Sequence, residues 1–179
     1  MNIKMLKAAF AGVILSVSAF ANAGVIYDVQ NGALMGASGL DINGEMYKVT
    51  FVDDSCNAAY SGCDASLFDF TTVQGATAAL DALFAQVFLD DVMVAGVEYD
   101  FDTDPMLTNG CDRVGFCEIW VPYLDAGNGN VTSAWYVNKS ASDYTGSTAW
   151  TEAYSYGDNR DYMTFTNFER MAAVPEPST

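Results

Sequence analysis

The chain has 179 residues, with 23 acidic and 7 basic side chains, no histidine and a formal charge of −16. Such a field repels nucleic acid and anionic lipid and attracts divalent cations, while a hydrophobic content of 51% excludes a disordered acidic tail. Without histidine, Ser-His-Asp and Cys-His catalysis and histidine-ligated zinc or copper are excluded, and no P-loop or dinucleotide fingerprint follows a strand.

Lys4 and Lys7 open the chain with positive charge, and Ala8 to Phe20 form an uncharged, largely apolar stretch. Ala21-Asn22-Ala23 then supplies the small-x-small pattern that signal peptidase cuts. Residues 1–23 therefore read as a signal peptide cut before Gly24. Spanning a bilayer takes about 20 apolar residues, so this stretch is too short for an anchor. Residues 24–171 are expected to form a single exported domain. Losing Lys4 and Lys7 takes its formal charge from −16 to −18.

Gly24 to Val29 reads as a short strand. Leu34 to Ile42 and Glu45 to Val52 flank Asn43-Gly44, the dipeptide suited to a type I′ hairpin whose two turn residues both need φ > 0. Counting outward pairs Leu40 with Tyr47, Ser38 with Val49 and Gly36 with Phe51, and puts Tyr47, Val49 and Phe51 on one face.

All four cysteines lie beyond the signal peptide, as two close pairs, Cys56 with Cys63 and Cys111 with Cys117. In an oxidising compartment an even count argues for disulfides. Of the three connectivities, local pairing is expected, each ring stabilising by about 2–3 kcal/mol. Zinc knuckles favour shorter spacings than these.

Apolar residues at three- and four-residue intervals from Ala76 to Phe88 predict a helix over 74–89, with Thr71 and Gln74 as its capping box. Strands resume near Tyr99. Phe116 to Leu124, Val131 to Val137, Thr148 to Tyr156 and Arg160 to Phe168 are rich in β-branched and aromatic residues. Turn clusters at 126–130, 140–146 and 157–159 separate them. Pro122 marks an edge or a bulge. The expected architecture is mainly β, an antiparallel sandwich or an α+β fold, with one amphipathic helix packed on the sheet.

The last residues, from Ala172, include Val174, Pro175, Glu176, Pro177, Ser178 and Thr179. This V-P-E-P-S-T run resembles the opening of the PEP-CTERM sorting signal of Gram-negative bacteria. In that family an apolar membrane segment and an arginine-rich end follow, and an exosortase processes the whole signal. The sequence ends at Thr179, where that span would begin, which reads either as a trimmed chain or as a copy secreted without its anchor. Tyr47 to Asp53 leading to Cys56, Gly62 to Asp64, and Cys117 to Tyr123 are similar to ectodomains that carry the signal. The resemblance implies signal peptidase and exosortase as partners during export, and the cell surface or exopolysaccharide matrix as destination.

Three sets of side chains invite a site. Asp100, Asp102 and Asp104 alternate, which would place three carboxylates on one side of an extended segment, a hard-cation pattern that suits calcium. Pro105 and Cys111 stand where an EF-hand needs glycine and a bidentate glutamate. Asp53-Asp54 and Asp158 with Asp161 are thinner candidates. Trp120, Tyr123, Trp135 and Trp150, with Tyr136, Tyr154 and Tyr156 nearby, would stack on sugars if exposed, although strand aromatics usually fill a core. A pair of carboxylates would suffice for glycoside hydrolysis, but no pattern singles one out. Asn130 and Asn138 head glycosylation sequons. These readings favour a non-enzymatic structural or adhesive surface protein without a resident cofactor, ahead of a carbohydrate-binding module and a carboxylate hydrolase.

Overall fold

The computed structural model describes residues 24–143, 150–155, 157 and 159–172, with the backbone alone over 150–154. The chain runs β1 (Ile26–Gln30), β2 (Ala33–Ile42), β3 (Glu45–Val52), α1 (Cys56–Ala59), α2 (Val73–Gln86), β4 (Val92–Val94), β5 (Val97–Tyr99), β6 (Phe116–Gly127), β7 (Asn130–Lys139), β8 (Trp150–Ser155) and β9 (Met163–Arg170). One sheet takes seven strands in the order β1-β2-β3-β9-β6-β7-β8, and β4 with β5 forms a separate hairpin. The protein is thus mainly β with one substantial helix on the sheet. The sheet is mixed: β9 lies antiparallel to β3 and parallel to β6.

The β2–β3 turn forms as its residues require. Asn43 and Gly44 take φ of 55° and 86°, and the Gly44 N–H donates to Asp41 Oδ1 across 2.7 Å. Leu40 opposes Tyr47, but the register then slips, so Ser38 faces Lys48, Ala37 faces Val49 and Gly36 faces Thr50. The pairs Ser38–Val49 and Gly36–Phe51 expected from simple counting do not form. The cause is a bulge at Gly39, which sits at φ +84° and gives β2 one residue too many for a regular ladder. A second slip opposite β1, beside Met35, brings Leu34 inward with Ala37, Leu40 and Ile42.

The helix starts one residue earlier than its periodicity suggests. Thr72, not Thr71, is the N-cap, and its Oγ1 accepts from the Gly75 N–H at 3.1 Å. With glycine at the third position there is no reciprocal capping box. Ala76, Ala79, Leu80 and Leu83 are wholly buried. At the other end Gln86 clamps the β2 backbone, its Oε1 accepting from Asp41 N–H and its Nε2 donating to Asp41 C=O.

Helix α2 packs against β2, β6 and β7. In a flat sheet β2 and β7 would lie about 19 Å apart, at about 4.8 Å per strand. The sheet therefore curls around the helix. Phe84 meets Tyr136 of β7 and Phe88, and Phe88 meets Phe51 of β3. Strand alternation sends Ile119, Val121, Ala134, Tyr136 and Phe168 into this core.

The opposite face of the sheet has its own smaller core. Trp120, Val131, Met163 and Phe165 project from β6, β7 and β9 and are covered by Cys56, Tyr60, Cys63 and Phe68. Cys56 and Cys63 form one disulfide and Cys111 and Cys117 the other, the local pairing expected. Tyr60 donates its hydroxyl to the Thr166 carbonyl, and Asp69 Oδ2 accepts from the Phe168 N–H at 2.8 Å. The 55–70 segment is thus closed on itself by a covalent ring and held to β9 by hydrogen bonds at Tyr60, Asp69 and Ala59. Pro122 sits beside the bulge between Pro122 and Leu124, and beyond the Glu118–Trp120 stretch that pairs with β9, so its missing N–H breaks no ladder on that side.

Candidate cation site

The β4–β5 hairpin turns at Ala95 and Gly96, both at positive φ (50° and 85°). Its pairs are Val94–Val97, Met93–Glu98 and Val92–Tyr99. Continuing that register sets Asp91 opposite Asp100 just past the last pair. Glu98 and Asp100, two residues apart on a strand, share a face. The carboxylates of Asp91, Glu98 and Asp100 accordingly converge, with one oxygen of each within 4.8 Å of the others, all three side chains exposed. The Asp91 N–H also donates to Asp100 Oδ1 at 3.0 Å, which fixes that carboxylate over the turn.

Asp102 and Asp104 do not join this group. The expected extended segment is a tight turn, closed by the Asp104 N–H on the Asp100 carbonyl at 2.8 Å. Phe101 drives the turn. Its ring is wholly buried and lies between Tyr27 and Tyr99, with centroids 5.5 and 5.3 Å away and planes nearly parallel. Burying that ring rotates the neighbouring aspartates outward in different directions. Asp104, exposed, precedes the 3-10 turn Pro105–Leu107 and caps nothing with its side chain.

Asp102 instead meets Asp143, four residues past the end of β7, with Asp90 close enough for its charge to be felt. Asp143 Oδ1 accepts from the Lys139 N–H at 2.8 Å, and Asp90 Oδ1 accepts from the Thr103 N–H and hydroxyl. Partial burial, followed by the neighbouring Asp102 and Asp90 carboxylates, pushes the Asp143 carboxyl up to about 6. Six carboxylates thus fall into two groups, Asp91 with Glu98 and Asp100 and Asp143 with Asp102 and Asp90, linked by the adjacency of Asp90 and Asp91 in the chain. Hard oxygen donors of this kind suit calcium, which takes six to eight of them in flexible geometry.

Sequence spacing found Asp100 and Asp102 but missed Asp90, Asp91, Glu98 and Asp143. The hairpin was the missing signal, since Ala95-Gly96 between alternating valines brings Asp91 onto Asp100. Asp143 could not be found this way, because only the tertiary packing of β7 on Phe101 brings it near. Two of the thinner acidic candidates, Asp54 through its side chain and Asp161 through its backbone carbonyl, accept from backbone N–H groups. Asp54 Oδ1 accepts from the Ser55 N–H at the entrance to α1, the Asp161 carbonyl holds the N–H groups of Asp112 and Arg113, and Asp158 lies outside the described residues.

Among the described side chains, the aromatic candidates do not form one platform. Trp120 is 0% exposed and stacks on Trp135 with centroids 5.4 Å apart and planes at 8°, while its Nε1 donates to Glu118 Oε2. Trp120 is a core residue and not a sugar-stacking one. Trp135 is half-buried beside it. Tyr123 is also half-buried but packs into the α2 core on the other face of the sheet. The Trp150 side chain lies outside the description. Tyr136 is buried and donates its hydroxyl to Asp81 Oδ1 at 2.7 Å. The sequon at Asn138 is closed to glycosylation, because that side chain is wholly buried and donates to the Phe101 carbonyl.

Residues 1–23 and the sorting motif Val174–Thr179 lie outside the described residues. Among the described residues no helix is long and apolar enough to cross a membrane. Comparison with protein-family models, curated proteins and solved structures returns no match.

Proposed function

We propose that this chain is an exported protein of the cell surface or extracellular matrix, released by signal peptidase, sorted by an exosortase-type system, and structural or adhesive in role. The observation that carries the reading is the state of the cysteines: both pairs are closed, and each disulfide is built into a buried core. Thiols stay reduced in the cytosol, so a fold resting on two disulfides suits an oxidising compartment. The targeting pattern at one end and the V-P-E-P-S-T run at the other point to the same destination. Calcium at the acidic end belongs to this reading as a stabilising ion. A sugar-binding module is less well supported, since Trp120 is covered and Tyr123 faces away from Trp135.

The test is expression of the full chain, with its own ends, in a Gram-negative host that carries an exosortase. The expected product begins at Gly24, is found outside the cytoplasm, and shows no free thiol by intact mass. Recovery inside the cell with residues 1–23 attached and four reduced cysteines would overturn the proposal.

A further inference from the structure

We draw no further inference here: the strongest candidate, the carboxylate cluster of Asp90, Asp102 and Asp143 where the segment after α2 meets the end of β7, belongs to the cation site already described and has no second feature beside it that points to a ligand.

Discussion

The side-chain amide of Asn138 donates to the carbonyl of Phe101 across 2.8 Å, and this one bond pins the acidic turn to the last residues of β7. Because the Phe101 ring is also stacked on Tyr27 of β1, one residue joins the β1 edge of a curled sheet to β7, the strand next to its other edge. The consequence is electrostatic. Asp102, next to Phe101 in the chain, is thereby held near Asp143, whose carboxylate is itself bound to the Lys139 N–H.

That crowding predicts a pH dependence with a definite sign. Asp143 has its carboxyl raised from 3.8 to about 6 by burial and by Asp102 and Asp90. A carboxyl raised on folding binds its proton more tightly in the native state. Its contribution is therefore fully present below about pH 4 and is lost as pH rises through about 6. Replacing Asp143→Asn removes the repulsion and keeps an acceptor for the Lys139 N–H. We expect a gain of about 1 kcal/mol at pH 7, after discounting for solvent screening of a half-exposed group. That corresponds to about 2–4 °C in Tm for a domain of this size. At pH 4 the variant and the parent should melt together. Equal Tm values at pH 7 would show that the two carboxylates do not repel.

The proposed calcium ion would bind the neighbouring carboxylates. Asp91, Glu98 and Asp100 are exposed, so affinity should resemble that of extracellular modules, with Kd about 10⁻⁴–10⁻³ M. At ten times Kd, linkage gives about 1.4 kcal/mol. Millimolar calcium should therefore raise Tm by about 3–5 °C, and chelator should reverse it. Glu98→Gln with Asp100→Asn should abolish the rise. Because both side chains are solvent-facing, the pair should leave the fold otherwise intact by circular dichroism. An unchanged Tm in calcium would remove the ion from the proposed function.

The Cys56–Cys63 ring covers Trp120 on the face of the sheet away from α2. Closing so small a loop is worth about 2–3 kcal/mol in the chain-entropy model. The double variant Cys56→Ser with Cys63→Ser should lose about that much stability in urea. It should also shift tryptophan emission to longer wavelength, as the 55–70 segment loosens and water reaches the stacked Trp120–Trp135 pair. A stability loss with no emission shift would mean that Tyr60 and Asp69 hold the cover in place without the covalent bond.

Much of the fold could be read along the chain wherever the deciding physics was local. Asn43-Gly44 specified its turn because both residues tolerate positive φ, and the cysteine pairs closed within themselves because short loops close most readily. Helix α2 followed from its apolar spacing, though the cap moved from Thr71 to Thr72, a choice between adjacent threonines that spacing does not make. What escaped was long-range. The insertion of β9 between β3 and β6 depends on no local pattern, and neither does the meeting of Asp102 with Asp143. The split of Asp100, Asp102 and Asp104 escaped for a further reason: alternation assumes an extended backbone, and burial of Phe101 forced a turn.

The slipped β2–β3 register has the sharpest single-residue test. A Cβ built on Gly36 would lie 2.3 Å from the Val49 carbonyl oxygen and 3.3 Å from Thr50 Cα. Both are backbone atoms in the middle of a paired strand, so neither can move aside as a flexible side chain would. Gly36 itself has no positive φ, so alanine there meets no conformational penalty and the clash is isolated. Overpacking in a well-packed region costs about 1–3 kcal/mol, and contact with backbone places Gly36→Ala at the upper end of that range. Gly32→Ala is the control, since Gly32 has open space around its Cβ position and differs only in sitting at φ +87°. Left-handed strain there should cost about 1 kcal/mol. Urea melts of the two variants should therefore rank Gly36→Ala as the more damaging. The opposite ranking would mean that β2 and β3 pair without the close approach at Gly36, as they would if the chain followed the unslipped ladder.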